Sequence, residues 1–267
     1  MKQVANKDAV LRISGDEKWI NEADIAQQTN ESDGYALEEA LRLKEAKGEG
    51  EVIVCSLGPQ SAKTVIKDAL ARGADRAIHI VTDGNERHSP YQIAKAIADA
   101  IRDENADLVF TGLQSDDTSY GQTGVILAEL LGIPHGTIII EVDRESLGDS
   151  LRIKRELESG WYQWFTYKLP ALFSIQSGIS QIRYASLKGI MAAKKKEIRD
   201  VEAAVVAQGL PVGLGQVVDG LRRVLLEARR LHAMGEDRPE RDEVGVDAGV
   251  RLDVGVLGAE QLASVLG

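Results

Sequence analysis

The sequence predicts an α/β fold: a doubly wound, mostly parallel Rossmann-like sheet with an antiparallel strand extension and a C-terminal arm. Three observations predict it. Short apolar runs recur, at 51–57 (EVIVCSL), 76–81 and 107–112 (DLVFTG). Each is followed by a segment whose apolar residues fall at helical spacing. From Gly136 to about Gln176 strand-like runs follow one another with no helix between them. Runs that are apolar throughout belong to strands covered on both faces, as in parallel sheets joined by right-handed helical crossovers.

Taken in order, DGYALEEALRLKEAK (33–47) puts Ala36, Leu37, Ala40, Leu41 and Leu43 on one helical stripe. Asp33 is placed to cap its start, Glu38 and Arg42 to pair across one turn, and Gly48 and Gly50 to end it. Gly58-Pro59 breaks the strand that follows. A second helix spans 60–72 and stops at Gly73, and a third runs from about Pro90 to Glu104. A fourth, from about Gly121 to Leu131, stops at Gly132 and Pro134. The runs GTIIIEV, SLRIKREL, WYQWFTYKL and ALFSIQ read as antiparallel strands at a sheet edge or in a small flap.

The expected boundaries are a nucleotide-binding type of domain over 1–205 and an arm or tail over 206–267. The latter is rich in Gly, Val, Arg and Asp and holds the charge cluster GEDRPERDE (235–243). Within it, Val217–Met234 has the pattern of an amphipathic helix and GAEQLASVL that of a short terminal one.

Composition narrows the function classes. Hydrophobic residues make up 43% and charged residues 28%, as in soluble globular chains. A formal charge of −10 and a pI near 5.0 argue against nucleic acid and against anionic membrane surfaces. No apolar run approaches the roughly 20 residues that span a bilayer, so no membrane insertion is expected. Met1-Lys2-Gln3-Val4 leads into no apolar signal region, and a cytoplasmic location follows as the default. The single cysteine, Cys55, allows no internal disulfide; inside Val52-Ile53-Val54-Cys55 it reads as a small core residue.

No catalytic or metal constellation stands out. The four histidines, at 79, 88, 135 and 232, are scattered, and His79 and His135 read as structural. There is no Walker loop and no G-x-G-x-x-G after a first strand. One loop is more informative: DLVFTG runs into LQSDDTSYGQTG before the fourth helix. Sheets of this kind bind ligands at the carboxyl ends of their strands, and a helix N-terminus offers free amides to an anion. Gly112 permits close approach, Thr118, Ser119 and Thr123 supply hydroxyls, and Gly121 and Gly124 flank the helix entrance. Asp116 and Asp117 suit amide capping or a ribose or adenine edge better than a phosphate.

A second candidate is RYASLKGIMAAKKKEI (183–198). Its basic run suits a solvated helix face, whereas Leu187 and Ile190 suit an exposed apolar knob for docking. Trp161, Tyr162 and Trp164 are expected to cover one sheet face.

These segments carry a family resemblance. NESDGYALEEALRLKE (30–45), CSLGP (55–59), ALARGADRAIHI (69–80) and TGLQSDDTSYGQTGVILAELLGIP (111–134) resemble the beta, or small, subunits of electron transfer flavoproteins. So do KRELESG (154–160), KLPALFSIQSGIS (168–180) and IRYASLKGIMAAKKKEI (182–198), in the family's order and spacing over about 2–205. The resemblance implies a core of the adenine nucleotide alpha hydrolase-like type. It also implies AMP held structurally in this subunit, and FAD shared with, and mainly on, an alpha subunit. The implied cofactor-binding residues are Asn30, Glu31, Ser32, Asp33 and Leu57, with Gly112, Leu113, Gln114, Ser115, Asp116, Asp117, Thr118, Ser119, Tyr120, Gly121, Gln122 and Thr123. The implied docking loop for flavin-dependent dehydrogenases is Arg183, Tyr184, Ala185, Ser186 and Leu187, with Leu187 as anchor.

The chain departs from the family pattern in three places. An apolar first strand usually precedes the Lys-Gln-Val turn; its absence would leave central backbone groups unpaired, and an incomplete N-terminus accounts for that. Asn30-Glu31 stands where Asn-Pro is common, and residues from about 208 lack the usual closing motif. The implied function is an electron carrier, not an enzyme. One alternative is an electron-bifurcating version with a second FAD in the AMP site. Another, of a different class, is a stand-alone adenine-nucleotide-binding regulator.

Overall fold

The computed structural model describes residues 1–13, 15, 20–21, 25–83 and 88–202. The arm expected over 206–267, with its two helices, lies outside these residues. The first elements are a short antiparallel pair, β1 (Gln3–Ala5) and β2 (Gln27–Thr29). Then α1 (Glu31–Lys47), β3 (Ile53–Gly58), α2 (Lys63–Arg72), β4 (Arg76–Val81), α3 (Pro90–Ile101), β5 (Leu108–Gly112) and α4 (Thr123–Leu131) alternate as expected. They are followed by β6 (His135–Asp143), β7 (Ser150–Glu156), β8 (Tyr162–Lys168), β9 (Ala171–Ile175), α5 (Leu187–Ala193) and β10 (Ile198–Glu202).

Local chemistry sets the ends. Asn30, not Asp33, occupies the N-cap of α1, and Gly48 ends the helix in the left-handed conformation at φ 75°. Acidic Glu31 and Asp33 lie in its first turn and Lys44 and Lys47 in its last, matching the helix dipole. Ser89 and Gln92 form a reciprocal capping box on α3, with Pro90 at its first turn.

The parallel strands fall into two sheets. One has the order β10-β4-β3, the other β5-β9-β6-β7-β8. β3, β4 and β10 are mutually parallel, as are β5, β9 and β6, while β7 and β8 extend the second sheet antiparallel. The run ALFSIQ is therefore no antiparallel edge strand. It is β9, inserted in parallel between β5 and β6, and all five of its residues are buried. A strand apolar at nearly every position needs cover on both faces, which an interior place provides.

Helices cover both faces. α1, α2 and α5 pack on one, where Leu37 and Leu41 meet Ile66 and Leu70, and Ala36 and Leu43 join the cluster around Ile139, Phe173 and Ile175. On the other face, α3 and α4 pack through Ala94, Ala98 and Leu127 against Leu172, while Ala96 faces Ile78 and Ile80. Truncating a residue such as Leu70, with no exposed surface, costs about 2–5 kcal/mol.

α1 and α3 each contact both sheets, so they straddle the line between β3 and β5. These two strands do not pair with each other. Between them lies a cavity of about 820 Å³ lined by Val52–Cys55, Leu108–Thr111, α1, α3 and Met1. Cys55, expected in the core, is only partly buried and lines this slot.

Candidate functional site

The loop between β5 and α4 leaves the carboxyl end of β5, and it is built from below. Asn30 is buried; its Nδ2 donates to the Gln114 carbonyl at 2.9 Å and its Oδ1 accepts from the Asp116 amide at 2.9 Å. Ser32, also buried, donates to the same carbonyl at 2.7 Å. Asp33, released from capping, bridges two segments. One carboxylate oxygen accepts from the Gly112 amide at 2.9 Å, the other from the Lys2 amide at 2.8 Å. A Cβ on Gly112 would stand 2.3 Å from the Ser32 hydroxyl, so only glycine permits this contact. The 30–33 segment thus braces the loop, with Glu31 exposed beside it.

Above this brace the loop is open. Residues Asp116–Gln122 are exposed, including Tyr120, while Leu113 and Ser115 are partly buried. Ser119 (φ 52°) and Gly121 (φ 63°) turn the chain back towards α4. The helix then starts at Thr123 with no side-chain cap, which leaves its first-turn amides for another acceptor. Leu57, partly buried near the end of β3, packs on the cluster around Ile78 and Ile80.

The two aspartates are engaged by backbone amides and, for Asp117, by Lys2. Asp116 accepts from the Glu31 amide at 3.1 Å, and Asp117 accepts from the Thr118 amide at 2.8 Å. Lys2 reaches over the loop: its Nζ lies 2.6 Å from Asp117, 3.2 Å from Ser115 and 3.4 Å from Thr118. Burial works against an ionised Asp117, but Lys2, the Ser115 hydroxyl and the Thr118 amide outweigh it and hold the carboxyl below its ordinary range. Lys2 is absent from the residues that the sequence marks for this site; nothing local signals it, and its partner lies 115 positions away.

Gly124 is buried and faces the sheet, where an added Cβ would meet Thr111 Oγ1 at 2.6 Å and Ser174 Oγ at 2.8 Å. Gly124 lies in the first turn of α4, at the helix entrance as expected, and its lack of a side chain lets α4 sit close to β5 and β9.

The second candidate, 183–198, forms a projecting platform. Tyr184 is 92% exposed, Leu187 84% and Met191 62%, with Ile190 beside them. Ser186 caps α5 by accepting from the Gly189 amide at 3.0 Å. Arg183 points the other way and anchors the platform. It donates to buried Glu38 through Nε at 2.9 Å and also binds Glu45. Arg42 pairs with Glu38 as expected, at 2.7 Å, and donates to the Gln181 carbonyl. The basic run is only partly a solvated face. Lys194 and Lys195 are exposed, but Lys196 turns inward to the carbonyls of Leu70 and Ala74, at 2.9 and 2.5 Å, and secures the end of α2.

The remaining candidates are structural. His79 has no exposed surface; its ring nitrogens face the Gly58 carbonyl at 3.0 Å and Asp200 at 3.3 Å. Trp161 lies outside β8 and is exposed, whereas Tyr162 and Trp164 share a face of that strand with Lys154 and Arg152 set against their rings. Among the described residues no cluster of histidine, cysteine and carboxylate could hold a metal, and no helix is long and apolar enough to cross a membrane.

The described residues form an α/β fold of the doubly wound type, with a braced loop at the carboxyl end of β5 and a projecting apolar platform. Comparison with known proteins specifies it: residues 18–206 match the family model described as electron transfer flavoprotein domain, and the chain belongs to that family. Among its relatives is the electron transfer flavoprotein subunit beta of Methylophilus methylotrophus, 33% identical over 228 residues, or 85% of this chain and 86% of the relative. The mouse subunit beta is 37% identical over 205 residues and the human one 36% over 204, each match covering 76% of this chain and 79% of the relative.

Proposed function

We propose that this chain is the beta subunit of a heterodimeric electron transfer flavoprotein, with AMP bound structurally at the β5–α4 loop. The observation that carries this reading is the loop itself. It is held rigid by Asn30, Ser32 and Asp33, its acidic side chains are occupied by amides and Lys2, and the uncapped start of α4 is open. That donor set fits a nucleotide monophosphate. Free amides and the hydroxyls of Ser115, Thr118, Ser119 and Thr123 suit the phosphate, and Lys2 adds a cation within reach. The polar edge by Asp116 and Gln114 suits the ribose or base.

In this reading FAD, carried mainly by the alpha subunit, supplies the electron-accepting and electron-donating chemistry. The residues of this chain bind, orient and dock. Tyr184, Leu187 and Met191 form the surface that meets a flavin-dependent dehydrogenase, and Arg183 holds it in place. The test is co-expression with an alpha subunit, followed by denaturation and chromatography of the bound nucleotides. One AMP and one FAD per heterodimer support the reading. Two FAD and no AMP favour the bifurcating version, and a stable nucleotide-bound chain that ignores the alpha subunit favours the stand-alone regulator.

A further inference from the structure

α5 inverts the usual pattern of a helix lying on a protein surface, which buries its large apolar side chains. Gly189 and Ala193, one turn apart, face α2. Ala193 is buried in the cluster around Ile66 and Leu70, and an added Cβ on Gly189 would meet the Ala71 carbonyl oxygen at 2.1 Å. Leu187, Ile190 and Met191, at i, i+3 and i+4, are all exposed. The small residues seat the helix, and its large apolar side chains are left for solvent or a partner.

Met191 is the chemically distinct member of that stripe, because a thioether is open to mild oxidants and the side chains of Leu187 and Ile190 are not. Among the described residues it carries the one exposed sulfur. Met1 is partly buried against the cluster of Leu37 and Val54, and Cys55 is partly buried between β3 and β5. Burial also pushes the Cys55 thiol up to about 11, so at neutral pH it lacks the thiolate that reacts with peroxide. A mild oxidant therefore meets Met191 first.

We propose that Met191 is a reversible oxidation site that sets whether the platform docks, with hydrogen peroxide as the oxidant. This rests on the reading of Tyr184, Leu187 and Met191 as the surface that meets a dehydrogenase. The thioether sulfur attacks one peroxide oxygen, the O–O bond breaks, and the leaving hydroxide takes up the proton of the transferred oxygen. The products are a sulfoxide and water: sulfur gives up two electrons and the peroxide accepts them. A reductase supplied with a dithiol reverses the change, the sulfoxide oxygen leaving as water while two thiols become a disulfide. The sulfoxide oxygen holds water that docking must strip away, and burying it unpaired opposes association. The fold is untouched, because Met191 lies outside the core.

The test uses the full chain co-purified with its alpha subunit and treated with dilute hydrogen peroxide at neutral pH. Peptide mass spectrometry should show Met191 oxidising about tenfold faster than Met1 or Cys55, as exposure and thiolate character dictate. The treated protein should keep its melting midpoint. Its reduction by one purified flavin-dependent dehydrogenase should slow about tenfold, equal to about 1.4 kcal/mol. The starting rate should return after treatment with methionine sulfoxide reductases and a dithiol. Met191→Leu and Met234→Leu are each compared with themselves before and after peroxide: the first should be insensitive and the second as sensitive as wild type. Leu187→Ala, measured without peroxide, separates this inference from the docking reading. If Leu187→Ala is slow while the Met191 sulfoxide form is reduced as fast as untreated protein, the inference falls and the docking reading stands. A Leu187→Ala protein reduced at the wild-type rate removes both. The inference also falls if Met191 oxidises no faster than Met1, if Met191→Leu stays sensitive, if Met234→Leu becomes insensitive, or if oxidation lowers the melting midpoint.

Discussion

Asp33 and Gly112 are joined by a hydrogen bond of 2.9 Å from the glycine amide to the aspartate carboxylate, while the other carboxylate oxygen holds the Lys2 amide at 2.8 Å. One side chain of α1 thereby ties the end of β5 to the amino-terminal segment. The loop between β5 and α4 starts from this junction, so its rigidity depends on a residue of α1.

Replacing Asp33 should loosen the loop and release nucleotide. Hydrogen bonds to a charged acceptor contribute about 1.5–3 kcal/mol each. Asp33→Ala loses both, and Asp33→Asn keeps one acceptor but turns an NH2 group on the other amide. Both variants are therefore expected to retain far less AMP than the wild type. Nucleotide content after denaturation checks this, and an Asp33→Asn protein with full AMP would show that the brace is dispensable.

Leu187, at 84% exposure, contributes little to the core. Leu187→Ala should unfold at the wild-type midpoint yet slow reduction by the partner dehydrogenase about thirtyfold, matching roughly 2 kcal/mol for one hot-spot side chain. Lys195→Ala should change mainly the salt dependence of the encounter. Steady-state kinetics with the purified dehydrogenase decide it. Unaltered electron transfer in Leu187→Ala removes the docking role.

The platform rests on α2 at Gly189, where an added Cβ would lie 2.1 Å from the Ala71 carbonyl oxygen. Gly189→Ala must push α5 away. We expect a loss of about 1–3 kcal/mol, the usual cost of overpacking, with slower docking even though every exposed side chain is retained. Urea unfolding and the same kinetics measure the two effects, and wild-type behaviour in both would show that α5 sits elsewhere.

The Glu38–Arg183 link makes the platform acid-sensitive. Burial disfavours an ionised Glu38, but the guanidiniums of Arg183 and Arg42 outweigh it and hold the carboxyl below its ordinary value of 4.5; Arg183 likewise lowers Glu45. A carboxylate depressed in the folded state contributes stability that is fully present above its unfolded value. That contribution is lost as the pH falls below about 4.5 towards the folded value. Glu38→Gln should therefore be about 1–3 kcal/mol less stable than wild type at pH 7, with the difference narrowing as the pH falls below about 4.5. Urea unfolding across that range checks the convergence, and a constant difference would remove Glu38 from the acid response.

What the sequence determined by itself is local. Apolar runs and helical stripes define strands and helices, Gly48, Gly73 and Gly132 end helices where expected, and Ser89 and Gln92 cap α3. The loop after β5 and the exposed Leu187 were legible too, because hydroxyl-rich loops and isolated apolar side chains are read from neighbours in the chain. Only the tertiary structure decided which strand lies beside which. ALFSIQ is apolar at most positions, and that suits an interior strand, yet nothing in it states that its neighbours are β5 and β6. Lys2 over Asp117 and Arg183 on Glu38 join residues 115 and 145 positions apart, and the slot between β3 and β5 belongs to no single segment. The reason is physical: periodicity reports how a side chain meets its own helix or strand, whereas pairing partners and cavities arise when distant segments bury their surfaces together.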